Sequence, residues 1–360
     1  MKTLGLGEIA PLLDGHVDLR RRKDSLQPLR LPVAELGFYD AFNRWVGSCA
    51  TACRIRLRTA STRIGLSGAQ RLLDQSVGGE RRGAYDLYVD GVFNARVWAQ
   101  GGAAIDLQNG AFVGDEAFNL TFDGLPPGEK VLELWLPQAA TVSITGLELD
   151  DGADAAPVAD GRPRVLFHGS SITHCLEAEG ASAGWPAVAA GLANVDHQNL
   201  GWAGSCLLSG QAARIIRDAR ADAIVLKLGI NVHTDGQLKE RTFLDSAHAM
   251  ISIIREKHAT TPILVVSPIY SPGREDEASG GGLPLTRMRQ LLSEVVAARV
   301  AAGDSQIAYL DGLKLFGAAD AHLLPDDLHP NTEGYRLIGE RFHALALSGP
   351  DALVTPPAAT

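Results

Sequence analysis

Polar and apolar residues alternate along several short segments of the first 150 residues. Residues 54–59 alternate arginine with isoleucine and leucine, which is the period of two expected of a half-buried strand. Residues 85–89 run into Asp90-Gly91, a dipeptide typical of a two-residue hairpin turn, and the apolar pattern resumes directly after it. Further strands are predicted over residues 131–136 and 142–149. Short strands separated by Gly- and Pro-containing turns predict an all-β antiparallel sandwich of jelly-roll-like form over residues 1–150.

Beyond residue 162 the pattern changes to apolar runs that alternate with helical periodicity. Residues 243–257 place apolar side chains close to every 3.6 residues, as on one face of a helix. Other helices are predicted over residues 185–192, 207–219 and 288–301. Buried strands are predicted over residues 164–167, 196–200, 223–228, 263–266 and 307–310. Strands that alternate with helices predict βαβ units and a parallel sheet in an α/β domain.

The two patterns meet in residues 151–162, a small, acidic and turn-rich segment that we interpret as a linker. The β domain is therefore expected at residues 1–150 and the α/β domain at residues 163–347. Residues 348–360 are rich in alanine, proline and glycine, and we expect this tail to fray. A chain of 360 residues with 46% hydrophobic and 21% charged residues suits two globular domains.

Charge excludes one class of partner. The formal net charge of −9 argues against a nucleic-acid-binding protein, because such a protein needs a basic face. The run Arg20-Arg21-Arg22-Lys23 is the exception to the acidic balance, and two interpretations of it stay open. We favour a solvated surface segment, and the alternative is a site for a partner.

The N-terminus and the cysteines bear on the compartment. Residues 1–11 contain no apolar run long enough for a secretory signal, and no stretch approaches the ~18 consecutive apolar residues of a membrane span. We therefore expect a cytoplasmic protein without a membrane partner. Four cysteines do not make a disulfide framework in a chain of this length. Cys49 and Cys53 lack the companions of a zinc site, and Cys175 and Cys206 suit small buried apolar positions.

The stretch from Pro163 to Cys175 is the strongest candidate for chemistry. A short apolar run is followed by Gly169, which permits a sharp turn, and then by Ser170 and Ser171. A strand, a tight turn and a helix start would put a serine at a sheet edge beside backbone N–H groups. The alternative is that the two serines only cap the helix.

Residues that follow the other strands supply the partners of a serine nucleophile. Sites in open α/β sheets form beyond the carboxyl ends of the strands, so the loops at residues 169–171, 199–205, 229–233 and 324–334 should meet there. His329 is a general base for the Ser171 hydroxyl, and Asp326, three residues earlier, can orient its imidazole. The N–H groups of Ser171 and Gly204 and the Asn231 amide are candidate oxyanion donors, each typically worth ~10²–10³ in kcat.

These segments resemble the SGNH, or GDSL-type, serine hydrolase family. Residues 169–173 look like its first block, with Ser171 as nucleophile, although Ser170 stands where the family usually has an acidic residue. Residues 199–204 look like the second block and residues 229–231 the third, where Val232 replaces the common aspartate. Residues 326–331 match the last block, which carries Asp326 and His329.

The resemblance covers about residues 163 to 345 and implies a flavodoxin-like three-layer α/β/α fold with a parallel sheet and no metal. An α/β-hydrolase is the nearest rival. Its elbow has the form Gly-x-Ser-x-Gly, whereas Thr173 holds the last position here. Its acid also lies far from its histidine, and we therefore disfavour it.

Four further residues are candidates for the substrate pocket, each with a structural alternative. His174 and His233 can line the pocket or fill structural positions. Trp202 can form a pocket wall or pack in the core. Arg274 lies in a polar, Gly-rich loop and can meet an anionic acyl donor or remain solvated. The histidines lack a carboxylate or cysteine at metal-ligand spacing, so no metal and no cofactor are expected.

The sequence leaves three functions open. The first is a serine esterase that cleaves a small O-acyl ester, such as an O-acetylated sugar. The second is an acyltransferase that passes an acyl group from a thioester or coenzyme A donor to a natural-product hydroxyl. The layout is similar to two-domain carbohydrate esterases and to a GDSL-type acyltransferase of tetracycline biosynthesis. The third is a glycan-binding protein without activity. The expected partner is a small molecule, and no oligomeric state is predicted.

Overall fold

The structure is a computed structural model that describes residues 1–73, 83–105 and 111–355. Two compact units make up the chain. Unit 1 comprises Met1–Gly161 and Ala178–Ser182, and unit 2 comprises Arg162–Glu177 and Ala183–Thr360. The last five residues of the predicted tail, 356–360, lie outside the described residues.

Unit 1 is built from β-strands. Its strands, β1 to β15 in chain order, are Lys2–Leu4, Leu13–Asp14, Asp18–Arg21, Leu26–Leu29, Arg54–Thr59, Ile64–Leu72, Ala84–Val89, Val92–Trp98, Gln100–Gly101, Ala103–Ile105, Phe112–Val113, Ala117–Phe122, Lys130–Trp135, Ala140–Leu149 and Ala156–Pro157. Two α-helices interrupt them, α1 at Leu6–Ile9 and α2 at Ala41–Ser48.

The strands form two sheets that share one hydrophobic core. Within the described ranges, the first sheet has the order β11-β10-β6-β14-β4-β3, with β1, β12 and β9 added beside this path. The second has the order β15-β5-β13-β7-β8, with β2 beside β5. Pairing is antiparallel except between β10 and β6. Leu66 and Val142 of the first sheet and Leu57 and Leu132 of the second belong to the same core. Antiparallel N-terminal sheets are therefore present as predicted, and the jelly-roll form stays a prediction.

Local patterning accounts for the strands that were predicted. β5 begins and ends where the alternation does, with Ile55 and Leu57 wholly buried. Asp90 and Gly91 both have positive φ, as a two-residue hairpin between β7 and β8 requires. The central strand β6 was not predicted, because its glycines and serine hide the alternation. One of them, Gly68, lies so close to the Ser143 carbonyl that a Cβ would overlap it.

Two segments belong to unit 1 that were not assigned to the β domain. β15 lies within the predicted linker, residues 151–162, and pairs with β5. Residues 178–182 were expected in the α/β domain, but Asp86 accepts hydrogen bonds from the Ser182 backbone N–H at 3.1 Å and its hydroxyl at 2.6 Å. Gln138 also donates to the Ala178 carbonyl at 2.6 Å. Long-range hydrogen bonds that no local pattern encodes hold both segments.

Unit 2 alternates strands and helices. Its strands β16 to β20 are Arg164–Gly169, Asp196–Gly201, Ala223–Lys227, Ile263–Val266 and Ile307–Leu310. Its α-helices α3 to α9 are Ser171–His174, Trp185–Leu192, Gly210–Asp218, Ile230–His233, Glu240–Arg255, Leu285–Ala301 and Thr332–Phe342. All strand pairs are parallel and follow the order β17-β16-β18-β19-β20, which is the flavodoxin-like order.

The helices of unit 2 pack in two groups. α4 packs against α9, and α7 packs against both α5 and α8. Phe167 of β16 lies between the first pair, with ring centroids 5.1 Å from Trp185 and 5.7 Å from Phe342. This is the predicted α/β/α arrangement, and it aligns the carboxyl ends of the strands at one edge of the sheet.

Candidate active site

Ser171 begins the short helix α3 directly after β16. The Ser170 hydroxyl accepts the Ile172 backbone N–H at 3.3 Å, so Ser170 caps the helix while the Ser171 side chain remains available. A Cβ on Gly169 would overlap the Thr173 hydroxyl and lie 2.8 Å from the Lys227 carbonyl. Only glycine therefore lets the chain turn from strand to helix within two residues.

The structure brings Ser171, His329 and Asp326 into one hydrogen-bonded chain. Ser171 Oγ lies 2.8 Å from His329 Nε2, and His329 Nδ1 lies 2.7 Å from Asp326 Oδ2. An ionised carboxylate only accepts hydrogen bonds, so Asp326 favours the tautomer with the proton on Nδ1. Nε2 is then the acceptor for the Ser171 hydroxyl proton. This arrangement can remove a proton from serine as the oxygen attacks a carbonyl carbon.

Asp326 also builds the turn that carries His329. Its Oδ1 accepts the Leu328 N–H at 3.1 Å and the His329 N–H at 2.7 Å. Partial burial acts to raise the pKa of the Asp326 carboxyl, but hydrogen bonds from the His329 ring and backbone outweigh it. The pKa is therefore held well below its usual range. The rival carboxylate, Asp327, has an exposed side chain.

The carbonyl of Asp327 anchors the same turn to a neighbouring loop. It accepts the Ser271 hydroxyl at 2.6 Å and Arg274 Nη1 at 3.1 Å. Asp327 has a φ of 60°, in the left-handed region that a non-glycine residue adopts only when its surroundings hold it there. Arg274 thus stabilises the turn that carries His329 through its hydrogen bond to the Asp327 carbonyl, a role that the sequence did not indicate.

Two of the three candidate oxyanion donors follow β17 and β18, Gly204 in a turn and Asn231 in helix α6, and the third is the N–H of Ser171 at the start of α3. Gly204 has a φ of 67° in the turn closed by the Ser205 N–H on the Trp202 carbonyl, and its N–H donates to no described residue. Asn231 Oδ1 accepts the Cys206 N–H at 3.1 Å. That bond sets the orientation of the amide, because it makes the oxygen the acceptor and leaves Nδ2 as the donor end.

Asn199, a residue of the second block within β17, joins this strand to helix α3. Its Nδ2 donates to the Thr173 carbonyl at 2.7 Å, and its Oδ1 accepts the Gly201 N–H at 2.8 Å. Gly201 lies against the backbone of His174 with no room for a Cβ. The sequence singled out Gly204 and Trp202 in this segment, and the anchoring role of Asn199 was not predicted.

Three of the pocket candidates are buried. His174 is 0% exposed, and Trp202 lies edge-on to the ring of His168 with centroids 5.8 Å apart. His233 Nε2 lies 2.9 Å from the Glu277 carbonyl, and the residue borders a cavity of about 370 Å³. Arg274 borders the same cavity, which Thr234, Pro272, Gly273 and Ser279 complete. Of the four candidates, His233, at the end of helix α6, and Arg274 therefore share one cavity.

A second carboxylate lies close to the histidine. Glu177 Oε1 is 4.0 Å from His329 Nδ1, and its Oε2 accepts the Tyr335 hydroxyl at 2.8 Å. Glu177 was not predicted as a site residue, because it follows the first block at no spacing that the family motif defines. Glu177 therefore places a second carboxylate on the Nδ1 side of the His329 imidazole.

Neither a metal-binding cluster nor a membrane-spanning helix is present in the part of the chain that the structure describes. No three His, Cys, Asp or Glu side chains in this part of the chain are grouped so that they hold a metal ion. All four cysteines are free and buried, and burial raises the pKa of Cys49, Cys53 and Cys206 to about 12. No helix within the described ranges is long and apolar enough to cross a membrane.

Known proteins resemble this chain in sequence and in fold. The family described as GDSL-like Lipase/Acylhydrolase matches residues 167–337. No curated protein sequence matches the chain. Among solved structures, the salicylyl-acyltransferase SsfX3 from a tetracycline biosynthetic pathway is 27% identical, with a TM-score of 0.81 over 94% of this chain and 95% of that one.

Two further structures share the fold at lower identity. A putative GDSL-like lipase from Bacteroides ovatus is 17% identical, with a TM-score of 0.74 over 95% of each chain. A family two carbohydrate esterase from Clostridium thermocellum is 15% identical, with a TM-score of 0.62 over 92% of this chain and 97% of that one. Residues 167–337 are therefore a domain of the GDSL-like lipase/acylhydrolase family, and the chain is an SGNH-type ester hydrolase or acyltransferase.

Proposed function

We propose that this protein is a serine esterase that cleaves a small O-acyl ester through an acyl-enzyme on Ser171. The observation that carries the proposal is the chain of hydrogen bonds from Ser171 Oγ to His329 Nε2 at 2.8 Å and from His329 Nδ1 to Asp326 at 2.7 Å. These two contacts join a hydroxyl nucleophile, a base and an orienting acid in the order that acyl transfer requires.

In the first half-reaction His329 Nε2 takes the Ser171 hydroxyl proton while Oγ bonds to the ester carbonyl carbon. Asp326 stabilises the imidazolium that forms. The negative charge on the former carbonyl oxygen is proposed to meet the N–H groups of Ser171 and Gly204 and the Nδ2 of Asn231. The carbon–oxygen bond to the alcohol then breaks, and the departing alkoxide takes the proton from His329.

The second half-reaction decides between hydrolysis and transfer. His329 accepts a proton from an incoming hydroxyl as its oxygen attacks the acyl carbon, and Ser171 recovers its proton as the acyl–enzyme bond breaks. Water gives a free acid, whereas an alcohol acceptor gives a new ester. Transfer from a thioester or coenzyme A donor is the second candidate function. The 27% identity to a salicylyl-acyltransferase over 94% of this chain favours it.

Intact mass measured over time with an activated acetyl ester tests both candidates. We expect the protein to gain one acetyl group on Ser171. Rapid loss of the adduct in water identifies an esterase, and an adduct that persists until an alcohol acceptor is added identifies a transferase. Ser171→Ala should give neither adduct nor turnover, whereas Ser209→Ala, which removes the cap of α5, should retain both. An adduct of equal size on Ser171→Ala would exclude the mechanism.

A further inference from the structure

Unit 1 contains a cavity of about 390 Å³ that the proposed catalytic chemistry does not use. It lies on the sheet face opposite the core, because Thr141 and Ser143 line it while the alternate residues Val142 and Ile144 are buried in the core. β3, β4, β6, β14 and α2 all contribute to its walls. The lining residues are Arg20, Arg22, Gln27, Leu36, Arg44, Trp45, Ser48, Ala69, Gln70, Arg71, Glu116, Thr141 and Ser143.

Four arginines and a single carboxylate line this cavity, in a chain whose net charge is −9. Arg71 is paired with Glu116, with Nε and Nη2 at 2.9 and 2.7 Å from Oε1. Arg20 donates to the neutral Gln27 at 3.2 Å. Neither Arg22 nor Arg44 has a carboxylate partner within residues 1–73, 83–105 and 111–355. Three guanidinium groups therefore face one space without compensating charge.

Such a concentration of positive charge is unfavourable in the empty cavity. Burial first, and then the neighbouring Arg22 guanidinium, lower the pKa of Arg20. A bound anion removes this repulsion, and each guanidinium can donate two parallel hydrogen bonds to a carboxylate or phosphate. Like-charged groups gathered without a partner are the feature expected of an anion-binding site.

The remaining lining residues indicate a small ligand. A volume of about 390 Å³ falls within the range of small-molecule pockets, ~300–1,000 Å³. Ser48, Thr141 and Ser143 add hydroxyl groups, and Trp45 and Leu36 add an apolar wall. Polar groups of this kind beside one aromatic ring suit an organic molecule that carries oxyanions.

We propose that unit 1 binds a small organic oxyanion, with phosphate or carboxylate groups, between Arg20, Arg22 and Arg44. The basic run at residues 20–23, interpreted above as a solvated segment, would then contribute two of its arginines to a binding site. Lys23 of the same run does not line the cavity. The proposal is independent of the catalytic role of Ser171.

Isothermal titration calorimetry of the full chain at low ionic strength tests it, with inorganic pyrophosphate and citrate as probes. We expect saturable one-to-one binding of at least one probe. The variant Arg22→Gln/Arg44→Gln should weaken that binding at least tenfold, since each lost charge-assisted bond is strong. Lys23→Gln removes a neighbouring exposed cation and should change the Kd less than threefold. Tighter binding of pyrophosphate assigns the site to phosphates, and tighter binding of citrate assigns it to carboxylates.

Three results would overturn the proposal. One is the absence of binding to either probe at millimolar concentration. Another is an equal loss of affinity in Lys23→Gln, which would mean general attraction to surface charge. The third is stronger binding of a double-stranded oligonucleotide than of either probe, with a steep salt dependence, which would identify a polyanion surface. Circular dichroism and ester turnover of the double variant should match the parent, because its substitutions are at surface arginines.

Discussion

Asp326 divides two tasks between its two carboxylate oxygens. Oδ2 accepts the imidazole proton of His329, and Oδ1 holds the two backbone N–H groups that shape the turn. The spacing of three residues is what lets one side chain do both. Asp327, next to it, contributes its carbonyl to Ser271 and Arg274 and turns its carboxylate to solvent.

Asp326→Asn should lower kcat/KM by ~10² or more, because an amide no longer favours the productive imidazole tautomer. The matched change Asp327→Asn should stay within about threefold of the parent, since asparagine tolerates the left-handed backbone. Steady-state kinetics on an activated ester measures both. Equal losses in the two variants would mean that the turn, and not the carboxylate, is what matters.

Glu177→Gln should move the acidic limb of the kcat/KM profile to lower pH. The limb falls when His329 takes up a proton, and a carboxylate 4.0 Å from Nδ1 stabilises that protonated form. Removing the carboxylate destabilises the protonated imidazole, so the acidic limb moves to lower pH. Glu179→Gln is the control, because Glu179 pairs with Arg96 instead. If the acidic limb of the Glu177→Gln profile stays at the pH of the parent, Glu177 has only a structural role.

At the scale of the element, β18 carries an uncommon residue for a buried parallel strand. Lys227 is 2% exposed at the end of the strand, three residues before helix α6, which carries Asn231. Burial lowers the pKa of Lys227 to about 8 from the usual 10.5. The thiols of Cys175 and Cys206 remain protonated in this environment, because burial raises the pKa of each.

The free energy of unfolding should therefore rise with pH, and the lowered pKa of Lys227 causes part of this rise. The unfolded chain binds this proton more tightly than the folded one, so stability increases as the pH rises from about 8 towards 10.5. Between pH 7 and pH 10 we expect a gain of about 2 kcal/mol, measured by urea unfolding. Lys227→Met should abolish that part of the gain, and the exposed Lys257→Met should keep it. Parallel profiles for parent and Lys227→Met would contradict the shifted pKa.

Individual strands differ in how well the sequence predicts them. β5 was predicted to the residue because its alternation is uninterrupted, whereas β6 was missed although it is central to its sheet. Gly68 is required there by close backbone contact with β14 and not by any local preference. Helix α7 was predicted from its apolar face, but its start was placed three residues late.

At the scale of the whole molecule, each compact unit is made of two segments that are not contiguous in the sequence. Residues 178–182 belong to unit 1, although both neighbouring segments belong to unit 2. Arg96 pairs with both Asp86 and Glu179, at 2.6 and 2.5 Å, and Asp86 accepts from Ser182. A buried, hydrogen-bonded carboxylate of this kind is costly to leave without partners.

A fragment of residues 162–360 should accordingly be less stable than the full chain. The fragment keeps the residues of the proposed acyl-enzyme. It lacks Asp86, Arg96 and Gln138, which are the partners of residues 178–182 in the full chain. We expect a Tm lower by about 5 °C or more, and loss of ester turnover at temperatures where the full chain is active. Thermal unfolding followed by near-ultraviolet circular dichroism provides the measurement. Equal Tm and turnover in fragment and full chain would show that the segment needs no partner from residues 1–161.

The sequence by itself determined what short-range patterns encode. Polar and apolar side chains alternate with a period of two in β5, and apolar side chains recur about every 3.6 residues in α7. The local hydrogen bonds of Asp326 need only its next three residues. The strand–turn–serine stretch at Ser171 is equally local. From these the antiparallel and parallel sheets and the family resemblance followed.

Tertiary structure alone decided what depends on residues far apart in the chain. The 2.8 Å approach of His329 to Ser171 spans 158 positions, and the placement of Glu177 beside that histidine follows from the packing of α9. The arginine-lined cavity combines separate stretches near residues 20, 44 and 71. Long-range contacts of this kind have no periodic signature, because they depend on how packed elements align and not on which face of each element is apolar.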